Sequence, residues 1–254
     1  MKTTRILAAL VAVFLGMSAP LLAHAEARTY AVMSLVGDKL AITNYEPSVG
    51  SHLDTNKKKI LDIGDTLFDE AAVRAANKVL KTADASASTT MMLTRDTGLY
   101  KSQNDMFDAP EANKADREYL LNLLKNRNVT HLLLITKMRT DADLKMDHEK
   151  AGDGKLEGLG FYIDNNVDVT SMSSLRSTKG VMAPYAYTKI RLIDAKTLQV
   201  LREQRAIAGH VVDTAAMGPN AATAFNDMTS KQKIDFIEQM LNSAMEGAVP
   251  LLSK

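Results

Sequence analysis

The chain of 254 residues has no cysteine and no tryptophan, and only 5% of it is aromatic. Without cysteine there is no disulfide framework, no thiolate nucleophile, no iron–sulfur cluster and no thiolate zinc site. Charge of one sign is missing too: 31 Lys and Arg stand against 30 Asp and Glu. A near-neutral chain offers no electrostatic footprint for nucleic acid. Its one basic run, Lys57-Lys58-Lys59, reads as a solvated turn. A hydrophobic fraction of 46% and a charged fraction of 24% are those of an ordinary globular protein and exclude collagen, coiled coil and wholesale disorder.

Long apolar runs are confined to the amino terminus. Lys2 and Arg5 precede the apolar stretch Ile6–Leu15, and Ala23-His24-Ala25 places small residues where signal peptidase reads. Gly16, Ser18 and Pro20 break the run short of the ~20 residues that a membrane anchor needs. The expectation is a signal peptide over residues 1–25, cleaved before Glu26, and a periplasmic protein (alternatively a secreted one). No lipid anchor is possible without a cysteine, and no transmembrane segment is expected after cleavage.

Beyond it the pattern alternates between extended and helical. Thr29–Gly37 and Leu40–Thr43 flank the turn Gly37-Asp38-Lys39 and predict a β-hairpin. Asp65 stands before a helix in which Leu67, Phe68, Ala71, Ala72, Ala75, Ala76, Val79 and Leu80 form one wide apolar face. A linker at Ala83–Ser88 leads to a short strand at Thr89–Thr94. Asp108, Pro110 and Glu111 have the spacing of a capping box opening a second helix, which stops near Asn126 and Asn128. Val129–Ile135 reads as a central strand buried on both faces.

Residues 141–180 then form a Gly- and Ser-rich excursion, a long loop or loose hairpin. Tyr185–Ile193 and Leu198–Val212 predict a hairpin turning on Asp194-Ala195-Lys196-Thr197. Thr229 and Gln232 cap an amphipathic terminal helix carrying Ile234, Ile237, Leu241, Ala244, Met245 and Ala248. The order predicts one α/β domain over residues 26–254, a mixed sheet flanked by helices.

The stretch TYAVMSL after the signal peptide, the helix of residues 65–80, VTHLLLI, and YTKIRLIDAKTLQVL with its terminal helix together resemble the amino-terminal domain of TolB-type proteins. They are equally similar to the periplasmic α/β domain of curli-secretion (CsgG-like) proteins. The resemblance implies a non-enzymatic protein working through envelope contacts. The early hairpin and the excursion depart from it, as does the missing lipoprotein cysteine.

Motifs for chemistry are few. His52, His131, His148 and His210 have no pair at metal-ligand spacing. Asp141, Asp143 and Asp147 with His148 and Glu149 fail the calcium-loop pattern, because Met146 stands where glycine must and Gly152 where the bidentate glutamate must. Gly158-Leu159-Gly160 belongs neither to a P-loop nor to a dinucleotide fingerprint, and no Gly-x-Ser-x-Gly elbow occurs. The methionines are scattered as core filling rather than clustered for copper. No cofactor, metal or catalytic residue is therefore assigned.

Phe161 and Tyr162 concentrate scarce aromatic content inside the excursion. They either tuck back onto the sheet as a satellite cluster or, with Tyr185 and Tyr187, anchor a protein partner or second subunit. The expectation is an exported envelope protein acting by protein–protein contacts or self-association; the alternatives are an exported hydrolase, or a small-molecule or metal carrier. An ordered pocket lined by several carboxylates or histidines would favour the alternatives, and an exposed apolar patch the first.

Overall fold

The computed structural model describes residues 28–47, 56–146, 149–170, 177–215 and 217–252; the signal-peptide segment, His52 and His148 lie outside them. The chain folds as one α/β domain around a nine-stranded mixed sheet. In chain order the first elements are β1 (Thr29–Ser34), β2 (Lys39–Asn44), β3 (Lys57–Asp62), α1 (Leu67–Ala83) and β4 (Ser88–Met92). Next come α2 (Thr97–Ser102), α3 (Asp105–Asp108), α4 (Lys114–Lys125), β5 (His131–Lys137), β6 (Arg139–Asp141), β7 (Leu144–Met146) and β8 (Glu149–Ala151). The chain closes with β9 (Lys155–Thr170), β10 (Ser177–Asp194), β11 (Val200–Gly209), α5 (Ala221–Asp227) and α6 (Ser230–Leu252).

β10 organises the sheet. β11 lies antiparallel along one of its edges from Tyr185 to Ile193. Its other edge is shared end to end: β9 occupies Ser177–Tyr187, and β5 takes over from Thr188 to Asp194. Two wings diverge from that handover. On one side β5, β1 and β4 run parallel, in that order; on the other, β9 is followed by β2 and then by β3 at the sheet's edge.

The hairpin expected of β1 and β2 does not form, because each strand joins a different wing. β1 is apolar on both faces and inserts between β5 and β4, while the Gly37-Asp38 turn carries the chain across the fork to β2. Nor is the lysine run a turn. Lys57, Lys58 and Lys59 sit in edge strand β3, all exposed, where like charges block pairing with another chain. The excursion is more regular than expected, since β9 and β10 form a hairpin of 16 and 18 residues.

Helices cover both faces. α1, α5 and α6 bury the larger cluster, with Ile237, Leu241, Ala244, Met245 and Ala248 of α6 facing inward at the expected spacing. The alanines of α1 (Ala71, Ala72, Ala75, Ala76) are all buried, which lets the helix lie close against its neighbours. α2, α3 and α4 cover the opposite face of the parallel wing. The expected capping box at Asp108 is absent: Asp108 ends α3 and its carboxylate turns toward Arg191, while α4 starts six residues later. α2, capped by Asp96 whose Oδ1 accepts the Leu99 amide at 2.8 Å, went unread because it spans only six residues.

Candidate functional site: a cleft where the sheet forks

The carboxyl ends of the parallel strands β1, β4 and β5 all point toward the place where the wings part. There the structure holds an open cleft of about 920 Å³. Open α/β sheets bind ligands at such carboxyl-end crevices, where neighbouring strands are led to opposite sides. The walls come from three directions. The Asp38 turn and Lys137 stand at the strand ends, Arg95 with Tyr100 and Gln103 comes from the α2 region, and Lys58, Ile60 and Asp62 come from β3. Glu157 and Tyr185 contribute from the far wing.

The turn after β1 is held from behind. Asp69, in the first turn of α1 and fully buried, accepts the Val36 amide at 2.9 Å and the Gly37 amide at 3.1 Å on Oδ1. Its Oδ2 accepts the Tyr100 hydroxyl at 2.6 Å, which ties α2 to the same turn. Burial pushes the Asp69 carboxyl above the usual carboxylate range, against the opposing pull of those hydrogen bonds. Burial, reinforced by the neighbouring Asp69 carboxylate, drives the Tyr100 phenol far up, so it stays a donor. Position 37 must be glycine: a Cβ there would stand 2.4 Å from Asp69 Oδ2 and 2.8 Å from its backbone nitrogen.

Lys137 closes the end of β5. Its ammonium pairs with Asp38, its amide donates to Gln103 Oε1 at 2.7 Å, and its carbonyl accepts from Asn104 Nδ2 at 2.8 Å. The Asn104 Oδ1 also accepts from Thr136 Oγ1 at 3.0 Å and from Arg191 at 2.8 Å. Arg191 is completely buried on β10. Its Nε donates to Glu203 Oε2 at 2.9 Å, and its guanidinium stacks on Phe107 at 5.1 Å. One hydrogen-bonded chain thus runs from Glu203 through Arg191 and Asn104 to the cleft wall.

The four aromatic residues singled out in the sequence are all buried, none more than 1% exposed, so none presents its ring to a partner. Phe161 packs on Phe225 of α5, ring centres 5.2 Å apart. Tyr162, Tyr185 and Tyr187 turn to the other face and form a satellite core with Leu144, Leu156, Val181 and Ala183 beneath the β7–β8 hairpin. Their hydroxyls are used locally: Tyr187 takes the Asp143 amide at 2.6 Å, Tyr162 the Asp153 amide at 3.1 Å, and Tyr185 meets Thr43 Oγ1 at 3.3 Å. Burial lifts all three phenols, that of Tyr187 to about 12. Only Tyr185 reaches the cleft, and Gly160 makes room for it, since a Cβ there would lie 2.5 Å from the hydroxyl.

His131 tilts against Tyr30 with its Nδ1 2.8 Å from Thr130 Oγ1, and burial lowers its basicity. His210 is exposed at the end of β11. Among the described residues no three His, Asp or Glu side chains are grouped to hold a metal, and no helix is long and apolar enough to cross a membrane.

Of the cleft's lining, the sequence pattern offers only Tyr185 as a site candidate, and for another role. Two signals were present. Asp69 interrupts the apolar face of α1 at a core position, and Arg191 does the same on β10.

No protein-family model matches the chain, and no curated protein does. Among solved structures it is similar to the PelC dodecamer from Paraburkholderia phytofirmans, at 9% identity and a TM-score of 0.28, over 86% of this chain and 87% of that one. A point variant of the same PelC gives 10% identity and a TM-score of 0.26, over 86% and 88%.

Proposed function

We propose that the chain is an exported protein of the bacterial cell envelope, periplasmic after loss of residues 1–25, that acts by binding a polar segment of an envelope partner in the fork cleft. The observation that carries this reading is how the cleft is built. The groups at its base serve to hold the walls: Asp69, buried behind the lining, fixes the β1 turn, and Lys137 pairs with Asp38. The outer lining then interleaves Lys58, Arg95, Lys101 and Arg139 with Asp62, Asp105 and Glu157. Such a lining suits a ligand with hydrogen-bonding groups and little net charge. With its rings buried, the β9–β10 hairpin offers no aromatic anchor, and the reading rests on the cleft. The carboxylates in the same lining favour, as a second reading, a small-molecule carrier or an exported hydrolase.

A photoreactive residue at position 60, on the cleft wall and half exposed, tests the reading in intact cells, with position 119 on α4 as the control. The expected result is an adduct at position 60 and none at 119. A polypeptide adduct supports an envelope partner, and a small-molecule adduct the carrier or enzyme. No adduct at position 60, or release of the protein only with the cytoplasmic fraction, overturns the proposal.

A further inference from the structure

The edges of the sheet are treated differently. β3 carries three exposed lysines, and β4 at the far end is only five residues long. β11 is ten residues long and is hydrogen-bonded to β10 alone, so its outer backbone edge meets no other strand among the described residues. The β7 segment meets β11 at its carboxyl end, where Leu144 lies beside Gly209, and pairs just past it at His210 and Val211. Leu201, Arg202, Glu203 and Arg205 are exposed along β11. A long unpaired edge without a block of like charges is a template for another strand.

The order of side chains on this edge says which strand fits. In an antiparallel pair related by a two-fold axis through Gln204, Glu203 falls opposite Arg205 of the second copy, and Arg205 opposite its Glu203. Arg202 then faces the small Ala206, and the exposed Leu201 comes level with Ile207. Moving the axis by one residue sets Glu203 against Glu203, or Arg205 against Arg205, so the charges reject the neighbouring registers. The need for a second acid is visible within the chain. Glu203 already receives Arg191 at 2.9 Å and Lys189 at 3.0 Å, while Arg205 is paired in register with Lys189. Among the described residues no carboxylate of its own chain lies within ion-pair distance of Arg205. We propose that β11 pairs with β11 of a second copy of this chain, antiparallel about Gln204, so that two sheets join into one.

Because the chain lacks cysteine, a single thiol reports the register directly. In Gln204→Cys the two thiols meet across the axis at a spacing a disulfide can bridge. In Arg202→Cys they stand four residues apart along the strands, out of reach. Mild oxidation of the purified protein is expected to yield a covalent dimer from the first variant and none from the second. Arg205→Glu, at an exposed position, places Glu203 opposite a second glutamate. Sedimentation velocity is expected to show its self-association weakened by about tenfold or more, with an unchanged circular dichroism spectrum. A protein that sediments as a monomer throughout the micromolar range overturns the proposal. So does equal cross-linking of the two cysteine variants, or an Arg205→Glu variant that associates like the parent.

Discussion

At the scale of single residues, Asp69 shows how a buried charge can be kept for geometry. It accepts two backbone amides and a phenol in a site without solvent, where an unpaired partner would cost about 1–3 kcal/mol. Asp69→Ala strands the Val36 and Gly37 amides, while the Tyr100 hydroxyl keeps the Thr94 carbonyl at 3.3 Å, and is expected to lower stability by about 3 kcal/mol, measured by urea denaturation. The pH dependence has a definite sign. Burial holds the folded carboxyl above the ordinary value of 3.8, so over the interval between the two values the folded state binds more protons than the unfolded one. The contribution of Asp69 to stability is therefore greatest in acid and declines as pH rises through that interval. Asp69→Asn is expected to flatten this slope; an identical profile for the two proteins would contradict the account.

At the scale of elements, the short helices on the parallel wing are fastened by hydrogen bonds as well as by buried side chains such as Leu99, Met106 and Leu120. Arg191 reaches from β10 to Asn104 and Asp108 and stacks on Phe107, joining the Arg117 bond to the Met106 carbonyl and the buried Met106 side chain in holding α3. Lysine cannot reproduce that planar fork or its stacking. Arg191→Lys is expected to cost about 2 kcal/mol and to speed proteolytic cleavage between α3 and α4, at residues 109–113. Cleavage at the parental rate would show that other contacts hold the segment.

The elements also show where pattern reading works. α1, β5, the β10–β11 hairpin and α6 were legible because each is long and periodic. Pairing was not. β1 and β2 look like a hairpin in sequence, since a turn joins two extended runs, but local pattern carries no information about which wing a strand enters. The cleft was illegible for the same reason: its residues come from β-strand ends, a turn and a six-residue helix, and are neighbours only after the sheet forks. Phe161 and Tyr162 tuck back onto the sheet, one of the two readings that their glycine-rich surroundings allow. Gly160 makes room for the Tyr185 ring, whereas Gly152, Gly154, Gly158 and Gly180 supply positive φ.

At the scale of the whole molecule, both wings lean on β10, which contributes side chains to the larger core and to the other two. Neither wing has an independent core boundary. Unfolding is expected to be a single transition, with far-ultraviolet circular dichroism and tyrosine fluorescence giving the same urea midpoint. Separate midpoints would mean that the wings come apart one at a time.

The shared edge of β10 also sets the order of events during synthesis. β2 leaves the ribosome early, yet of its two partners only β3 is near, and β9 follows more than a hundred residues later. β1 and β5 find each other sooner, but β5 keeps one edge bare until β10 arrives. Contacts so distant along the chain make assembly slow. Until the last third of the polypeptide exists, the apolar strands before it have nowhere to settle, and a nascent chain in that condition stays open to whatever machinery handles unfolded polypeptides.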